Sequence, residues 1–184
     1  MTIQWSGSDP ENRSKAYRLT SIFFLQQPDN ELVSLIANHL QSIEDITPVE
    51  QEVFASFHSA QTNGEKASLI NEWQKEFVQL IHCVEEGGAL MPPYESRFRA
   101  VDQMQVLANI RSYYANAGIE KIPDVNQPED HLGSLLRFMS LLCFMEGESH
   151  KIDDPSSYSF TLEDNQRMQH AFLSNHILSW VPEY

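Results

Sequence analysis

The segment 129–146 constrains the fold most, because apolar residues surround it when it is drawn as a helix and Arg137 alone is strongly polar near its middle. The apolar members are Leu132, Leu135, Leu136, Phe138, Met139, Leu141, Leu142, Cys143 and Phe144. A helix that is apolar on all sides lies at the centre of a bundle. Elsewhere apolar residues also recur at helical spacing, without the alternation typical of strands. We therefore predict an all-α helical bundle.

The same periodicity predicts the individual helices. They span residues 11–26, 30–43, 48–60, 65–84, 96–117, 129–146 and 162–180. Thr47 and Glu50 form a capping box around Pro48 at the start of the third helix. Gly118 suits a left-handed residue after the fifth helix. The glycines and prolines of 85–95 predict a structured loop.

Composition limits the class of protein. A chain of 184 residues with 41% apolar residues is expected to form one domain over 1–184. Its net charge of -14 repels nucleic acid and anionic membranes, and it either favours a basic partner or serves solubility alone. Cys83 and Cys143 lie among apolar neighbours, as free buried thiols do. The first residues lack a secretory signal and the apolar run 21–25 is too short to span a bilayer, so we expect a cytoplasmic protein.

Motifs for catalysis or metal binding are missing from the sequence. It contains no GxSxG elbow, HExxH pair, paired CxxC or phosphate loop. Asp130 and His131 are neighbours whose side chains diverge by about 100° on a helix, which makes them a poor catalytic dyad. We therefore predict a protein that is not an enzyme and has no metal site.

Two short segments carry the remaining functional signal. MPPYESRF at 91–98 joins a double proline to a helix entrance, where Ser96 is placed to cap. This segment is either a rigid helix entry or the wall of a peptide groove. QPEDHLGSLL at 127–136 is either an ordinary helix start, with acidic residues at the positive end, or a recognition site. The residues alone leave both alternatives open.

Taken together, these segments resemble the TorD/DmsD/NarJ family of redox-enzyme maturation chaperones, whose members carry a PPYES-like element followed by an E-P-x-D-H helix start. Three further stretches are also similar to family segments, namely 13–36, WQKEFVQLI at 73–81 and HILSWVP at 176–182. Gln127 stands where the family usually has glutamate, so a charge that could pair with an incoming arginine is absent there.

The resemblance implies a TorD-like bundle that acts as a cytoplasmic chaperone. Such a protein binds an unfinished molybdoenzyme and its twin-arginine signal peptide, assists insertion of the molybdopterin cofactor and prevents premature export. It implies no bound cofactor, although weak contact with a guanine nucleotide or molybdopterin stays open. A helical adaptor for another partner is the alternative. The client, the choice between a monomer and a domain-swapped dimer, and a further C-terminal helix after residue 184 also stay open.

The resemblance also implies which residues meet the client. Those expected at the groove and on its facing loop are Gln127, Pro128, Asp130, His131, Tyr94, Glu95 and Ser96. Trp73 and Phe77 are expected either to form an apolar wall of the groove or to pack in the core, because both lie on the apolar stripe of the helix at 65–84.

Overall fold

The computed structural model describes residues 9–32, 34–35, 65–82, 92–149 and 160–183. Helices dominate these residues and no strand occurs within them, which confirms the predicted all-α class. The chain divides into two compact units, one formed by Met1–Leu25 with Met91–Tyr184 and the other by Gln26–Leu90. A single domain over 1–184 stays a prediction. The helix expected at 48–60, its capping box and Cys83 lie outside the described residues.

The helices are α1 (Pro10–Leu25), α2 (Lys66–His82), α3 (Glu95–Phe98), α4 (Gln103–Asn116), α5 (Leu132–Ser149) and α6 (Leu162–Phe172). A π-helical turn, Leu173–Ile177, and a 3-10 turn, Val181–Glu183, follow α6. The second unit contains α2 and the helical residues 30–32 and 34–35. None of the described helices is both long and apolar enough to cross a membrane.

The core of the first unit is built around α5, as its apolar sequence predicts. Leu135, Phe138 and Leu142 are completely buried, and Cys143 is a buried free thiol. Phe144 is the exception, since 55% of its surface is exposed. Each fully buried side chain of this size contributes roughly 1.5–3 kcal/mol of hydrophobic stabilisation. The central position of α5 within its unit is therefore confirmed.

Close packing between α1 and the start of α5 depends on a glycine. A Cβ atom added at Gly133 would lie 2.6 Å from Cγ of Leu25 and 3.1 Å from Cβ of Phe24. Carbon atoms that are not bonded do not approach to 2.6 Å without displacement. Gly133 therefore lets the end of α1 lie directly against the first turn of α5.

A buried carboxylate ties α1, α5 and α6 together. Glu146 on α5 is 3% exposed and pairs with Arg13 of α1. The side-chain amides of Gln166 and Gln169 on α6 each donate to Glu146 at 2.8 Å. Burial of a charge is tolerated when its oxygens are hydrogen-bonded in this way. The network thus supports one relative arrangement of the three helices.

The predicted helix 96–117 is wrong as a continuous element. It is interrupted between α3 and α4, where Ala100 has a positive φ of 49°. The Asp102 carboxylate accepts a hydrogen bond from the Met104 N–H and caps α4. Aspartate is a strong N-cap, so it starts a new helix despite the continuing apolar period. Gly118, with φ of 71°, ends α4 as predicted.

The two later helices also differ from their predicted bounds. Helix α5 begins at Leu132 instead of 129, because the preceding residues hydrogen-bond to another segment. Helix α6 begins at Leu162 as predicted, after a capping box between Thr161 and Asp164. It changes to a π-helical turn at Leu173, so the α-helix predicted to 180 is too long.

Candidate functional site

The two motif segments, 92–98 and 127–132, are hydrogen-bonded to each other, and we call them the motif pair. Tyr94 and His131 form an isolated antiparallel bridge. The Glu95 N–H donates to the Asp130 carbonyl at 2.9 Å, and the Leu132 N–H donates to the Pro93 carbonyl at 2.8 Å. These bonds satisfy backbone groups at the entrances of both α3 and α5. The segments that are separate in sequence therefore form one local structure.

A buried side-chain bond reinforces this pairing. Ser96 Oγ donates to Asp130 Oδ2 at 2.6 Å. Ser96 is not the N-cap of α3, because this helix begins at Glu95. Tyr94 occupies the N-cap position and makes no side-chain capping bond. Asp130 is fully buried, and its Oδ1 has no hydrogen-bond partner among the described residues. Because a buried carboxylate is costly without donors, the Ser96 hydroxyl is a principal support of Asp130.

His131 caps the first turn of α5. Its Nδ1 accepts from the Gly133 N–H at 3.2 Å, and its carbonyl accepts from the N–H groups of Ser134 and Leu135. With Nδ1 acting as acceptor in a neutral ring, the proton is assigned to Nε2. The Tyr94 ring meets the imidazole edge-on, with the ring centroids 5.1 Å apart. His131 therefore joins the two segments while it starts the central helix.

Glu95 connects the motif pair to the C-terminal part of the chain. Its carboxylate is fully buried, pairs with Arg99 one turn later and lies 2.8 Å from Nδ1 of His176. Arg99 also donates to the carbonyl of Asn175 at 3.2 Å. His176 and Arg99 were absent from the predicted site. Glu95 and His176 are 81 positions apart, so no local pattern indicates their pairing.

The π-helical turn presents His176 to this carboxylate. Its extra residue per turn is marked by the Leu178 N–H, which donates to the Leu173 carbonyl at 2.9 Å. The Trp180 indole N–H donates to the His176 carbonyl at 2.6 Å, and its ring stacks on Phe98 of α3 with centroids 5.2 Å apart. Such π-helical turns frequently occur at functional sites.

A surface cavity adjoins the outer side of the motif pair. It has a volume of about 420 Å³, and Gln127 and Glu129 form part of its lining. Tyr114, Ile122 and Val125 supply apolar wall, and Glu120 and Lys121 add charges of opposite sign. The Tyr94 hydroxyl donates to Gln127 Oε1 at 3.2 Å. This bond links the cavity lining to the first motif segment. The volume lies in the range of ligand and peptide-anchor pockets.

Ionisation near the cavity is set by one ion pair and by burial. Arg111 Nε donates to Glu129 Oε1 at 2.8 Å, which lowers the pKa of Glu129 and raises the pKa of Arg111. Burial raises the pKa of Tyr94, with a further contribution from the charge of Asp130. Burial also raises the pKa of Tyr114. At neutral pH the cavity lining therefore contains the charged carboxylate of Glu129, paired with Arg111, and the neutral phenol of Tyr114.

The predicted client-binding residues differ in exposure. Four are buried: Glu95, Ser96, Asp130 and His131. Pro128 is exposed, and four are half-buried: Tyr94 and Gln127 in the motif pair, and Trp73 and Phe77 on α2 of the second unit. The first unit thus brings together every predicted residue of the two motifs. Their contact with a client stays a prediction.

Comparisons with known proteins agree with this architecture. The family model described as nitrate reductase delta subunit matches residues 33–184. The chaperone protein TorD from two strains of Vibrio cholerae is 22% identical over 181 residues, which cover 95% of this chain and 78% of TorD.

A crystal structure described as a redox enzyme maturation protein from Archaeoglobus fulgidus matches the fold. The TM-score is 0.50 at 17% identity, and the match covers 94% of this chain and 96% of the other. Since the family model covers most of the sequence, this chain belongs to the nitrate reductase delta subunit family of TorD-like and NarJ-like redox enzyme maturation chaperones.

Proposed function

We propose that this protein is a cytoplasmic chaperone that binds an unfinished molybdoenzyme and its twin-arginine signal peptide until molybdopterin has been inserted. Family membership over residues 33–184 carries the proposal. The names of its relatives, a TorD chaperone and a redox enzyme maturation protein, describe tasks of the same kind. The role requires recognition and release of a client and no bond chemistry in the chaperone.

The cavity beside the motif pair is the proposed contact for the signal peptide. Such a peptide joins a basic start to an apolar stretch. The cavity has apolar wall from Ile122 and Val125. Its lining also carries two carboxylates, Glu120 and Glu129, and two cations, Lys121 and Arg111. A net charge of -14 adds a general attraction for a basic peptide. The apolar stretch therefore finds complementary surface in the cavity, and the basic start is attracted by the net charge of the whole chain.

The buried motif residues support recognition indirectly in this proposal. Asp130 and Ser96 hold one motif segment against the other, while Tyr94 and Gln127 reach the surface. A surface that is ordered before binding avoids part of the entropy cost of association. We therefore expect Tyr94 and Gln127 to touch the client and the buried residues to keep them in place.

The affinity required of such a site is modest. A micromolar dissociation constant corresponds to about -8 kcal/mol. Burying a few hundred Å² of apolar surface, at roughly 25 cal/mol per Å², supplies much of this before association costs are subtracted. The remainder must come from hydrogen bonds, such as those that Gln127 can form, and from the attraction of the acidic chain for a basic peptide.

The test is capture of a molybdoenzyme by the purified chain. We expect the cofactor-free enzyme with its signal peptide to bind best, the cofactor-free enzyme without the peptide to bind less, and the cofactor-loaded enzyme to bind least. Gln127→Leu should weaken capture. Gln105→Leu, at an exposed position on α4, is the matched control. Equal capture of the loaded and cofactor-free enzymes, or capture of neither, would favour the helical adaptor instead.

A further inference from the structure

We infer that His176 is a positioning residue for client binding, which acts through Glu95 and couples the C-terminal π-helical turn to the motif pair. The inference rests on the proposed chaperone function. It adds a residue outside the two motifs and outside the cavity. It also predicts that changes at the C-terminal turn alter client affinity without touching the client.

The first observation is that α3 has little stability of its own. It contains four residues, Glu95–Phe98, which is far fewer than an isolated helix needs. Its N-cap, Tyr94, makes no side-chain capping bond. The conformation of this part of the motif pair is therefore determined by the neighbours that hold it.

The second observation is that the C-terminal residues hold α3 and its C-cap at three points. His176 Nδ1 lies 2.8 Å from Glu95 Oε2. The Asn175 carbonyl accepts from Arg99, and the Trp180 ring stacks on Phe98. Trp180 also donates to the His176 carbonyl, so the same contacts support the backbone of the π-helical turn. These residues form a clasp, which we define as Glu95, Arg99, Asn175, His176 and Trp180.

The third observation is the burial of the central pair. Glu95 is 0% exposed and His176 is 1% exposed. With His176 removed, the buried Glu95 carboxylate keeps Arg99 and loses the donor to Oε2. Water can replace the lost hydrogen bond to this buried oxygen only if α3 moves outward. Because the Glu95 N–H donates to the Asp130 carbonyl, such movement also loosens the second motif segment.

The experiment compares two substitutions of one residue. His176→Leu removes the donor, whereas His176→Asn keeps an N–H donor attached to Cγ, where Nδ1 lies in histidine. Titration of a twin-arginine signal peptide into the full chain should show a rise in Kd of roughly tenfold or more for His176→Leu, which corresponds to a loss of about 1.4 kcal/mol of binding free energy. His176→Asn should restore Kd to within about threefold of the original protein.

A control separates positioning from general stability. Gln169→Leu breaks a buried hydrogen bond to Glu146 on the preceding helix, away from the clasp. It should lower Tm as His176→Leu does while leaving Kd unchanged, provided that circular dichroism shows each variant folded at the titration temperature. The inference is overturned if Kd rises equally in both variants or in neither. It is also overturned if His176→Asn fails to restore affinity.

A second readout needs no client. Hydrogen exchange of the Glu95 and Leu132 amides, which bridge the motif pair, should accelerate in His176→Leu relative to amides in the middle of α4 and recover in His176→Asn. Unchanged exchange would contradict the coupling even if peptides bind. If no peptide binds the original protein, the proposed function fails, and the exchange result alone decides whether the clasp exists.

Discussion

The residues of the two motifs act mainly on one another. Asp130 is held by Ser96, and Glu95 is held by Arg99 and His176. Buried carboxylates with defined donors are expensive to leave unpaired, so each of these partners stabilises the local structure. At this scale, the sequence resemblance singled out the two segments that pair with each other. It did not show that four of their residues are buried.

Removing the Ser96 hydroxyl tests the support of Asp130. In Ser96→Ala the buried carboxylate loses its donor at 2.6 Å, so the free energy of unfolding should fall by about 1.5–3 kcal/mol. Urea unfolding measures the change. Ser112→Ala is the control, because that exposed hydroxyl donates only to the Asn109 carbonyl, and it should change stability by less than about 0.5 kcal/mol. Equal effects of the two substitutions would contradict the account of Asp130.

The thiol of Cys143 should be unreactive in the folded protein. Burial raises its pKa to about 11, from an ordinary value of 9.0, so at pH 8 the thiolate is depleted roughly a hundredfold. We expect slow alkylation by iodoacetamide at pH 8 and rapid alkylation in urea, measured by mass spectrometry of the peptide that contains Cys143. The raised pKa also means that stability falls as pH rises from 9 towards 11. Fast labelling of the native chain would contradict this burial.

At the scale of elements, periodicity located the helices among the described residues and did not locate the points where they break or change type. The apolar pattern of 96–117 continues across the break, but Asp102 starts a new helix and Ala100 takes a positive φ. The Asp102 cap is a local signal in the sequence, which apolar periodicity does not register. The later start of α5 and the π-helical turn after Phe172 have no such local signal, because contacts with distant residues accompany both. Single-sequence patterns do not contain such contacts.

Two glycines on α5 allow a matched test of its packing against α1. Gly133→Ala places a Cβ atom 2.6 Å from Leu25 and should cost about 1–3 kcal/mol through forced displacement. At Gly147 the new Cβ atom lies 3.7 Å from Pro10, an ordinary contact, so the gain in helix propensity should leave stability unchanged or raise it by up to about 1 kcal/mol. Thermal unfolding of both variants measures the difference. Similar shifts in Tm would contradict the close approach at Gly133.

At the scale of the whole molecule, the acidic net charge agrees with the basic signal peptide that we propose as a partner. The chain carries 26 acidic and 12 basic side chains, whereas the lining of the cavity beside the motif pair is balanced, with Glu120 and Glu129 against Arg111 and Lys121. Attraction between exposed charges is screened over about 10 Å at 0.1 M salt, so any binding that depends on it must weaken as salt is added. Salt therefore separates recognition of basic residues from general binding of apolar segments.

The central claim is tested most directly by calorimetric titration of the full chain with a twin-arginine signal peptide at about 0.1 M and about 0.5 M NaCl. A matched peptide with both arginines replaced by alanine keeps the apolar stretch and removes the charge. We expect the arginine peptide to bind with a Kd in the micromolar range, to lose affinity at the higher salt and to bind more tightly than the alanine peptide at the lower salt. Equal affinity for both peptides at both salt concentrations, or no heat from either, would contradict the account.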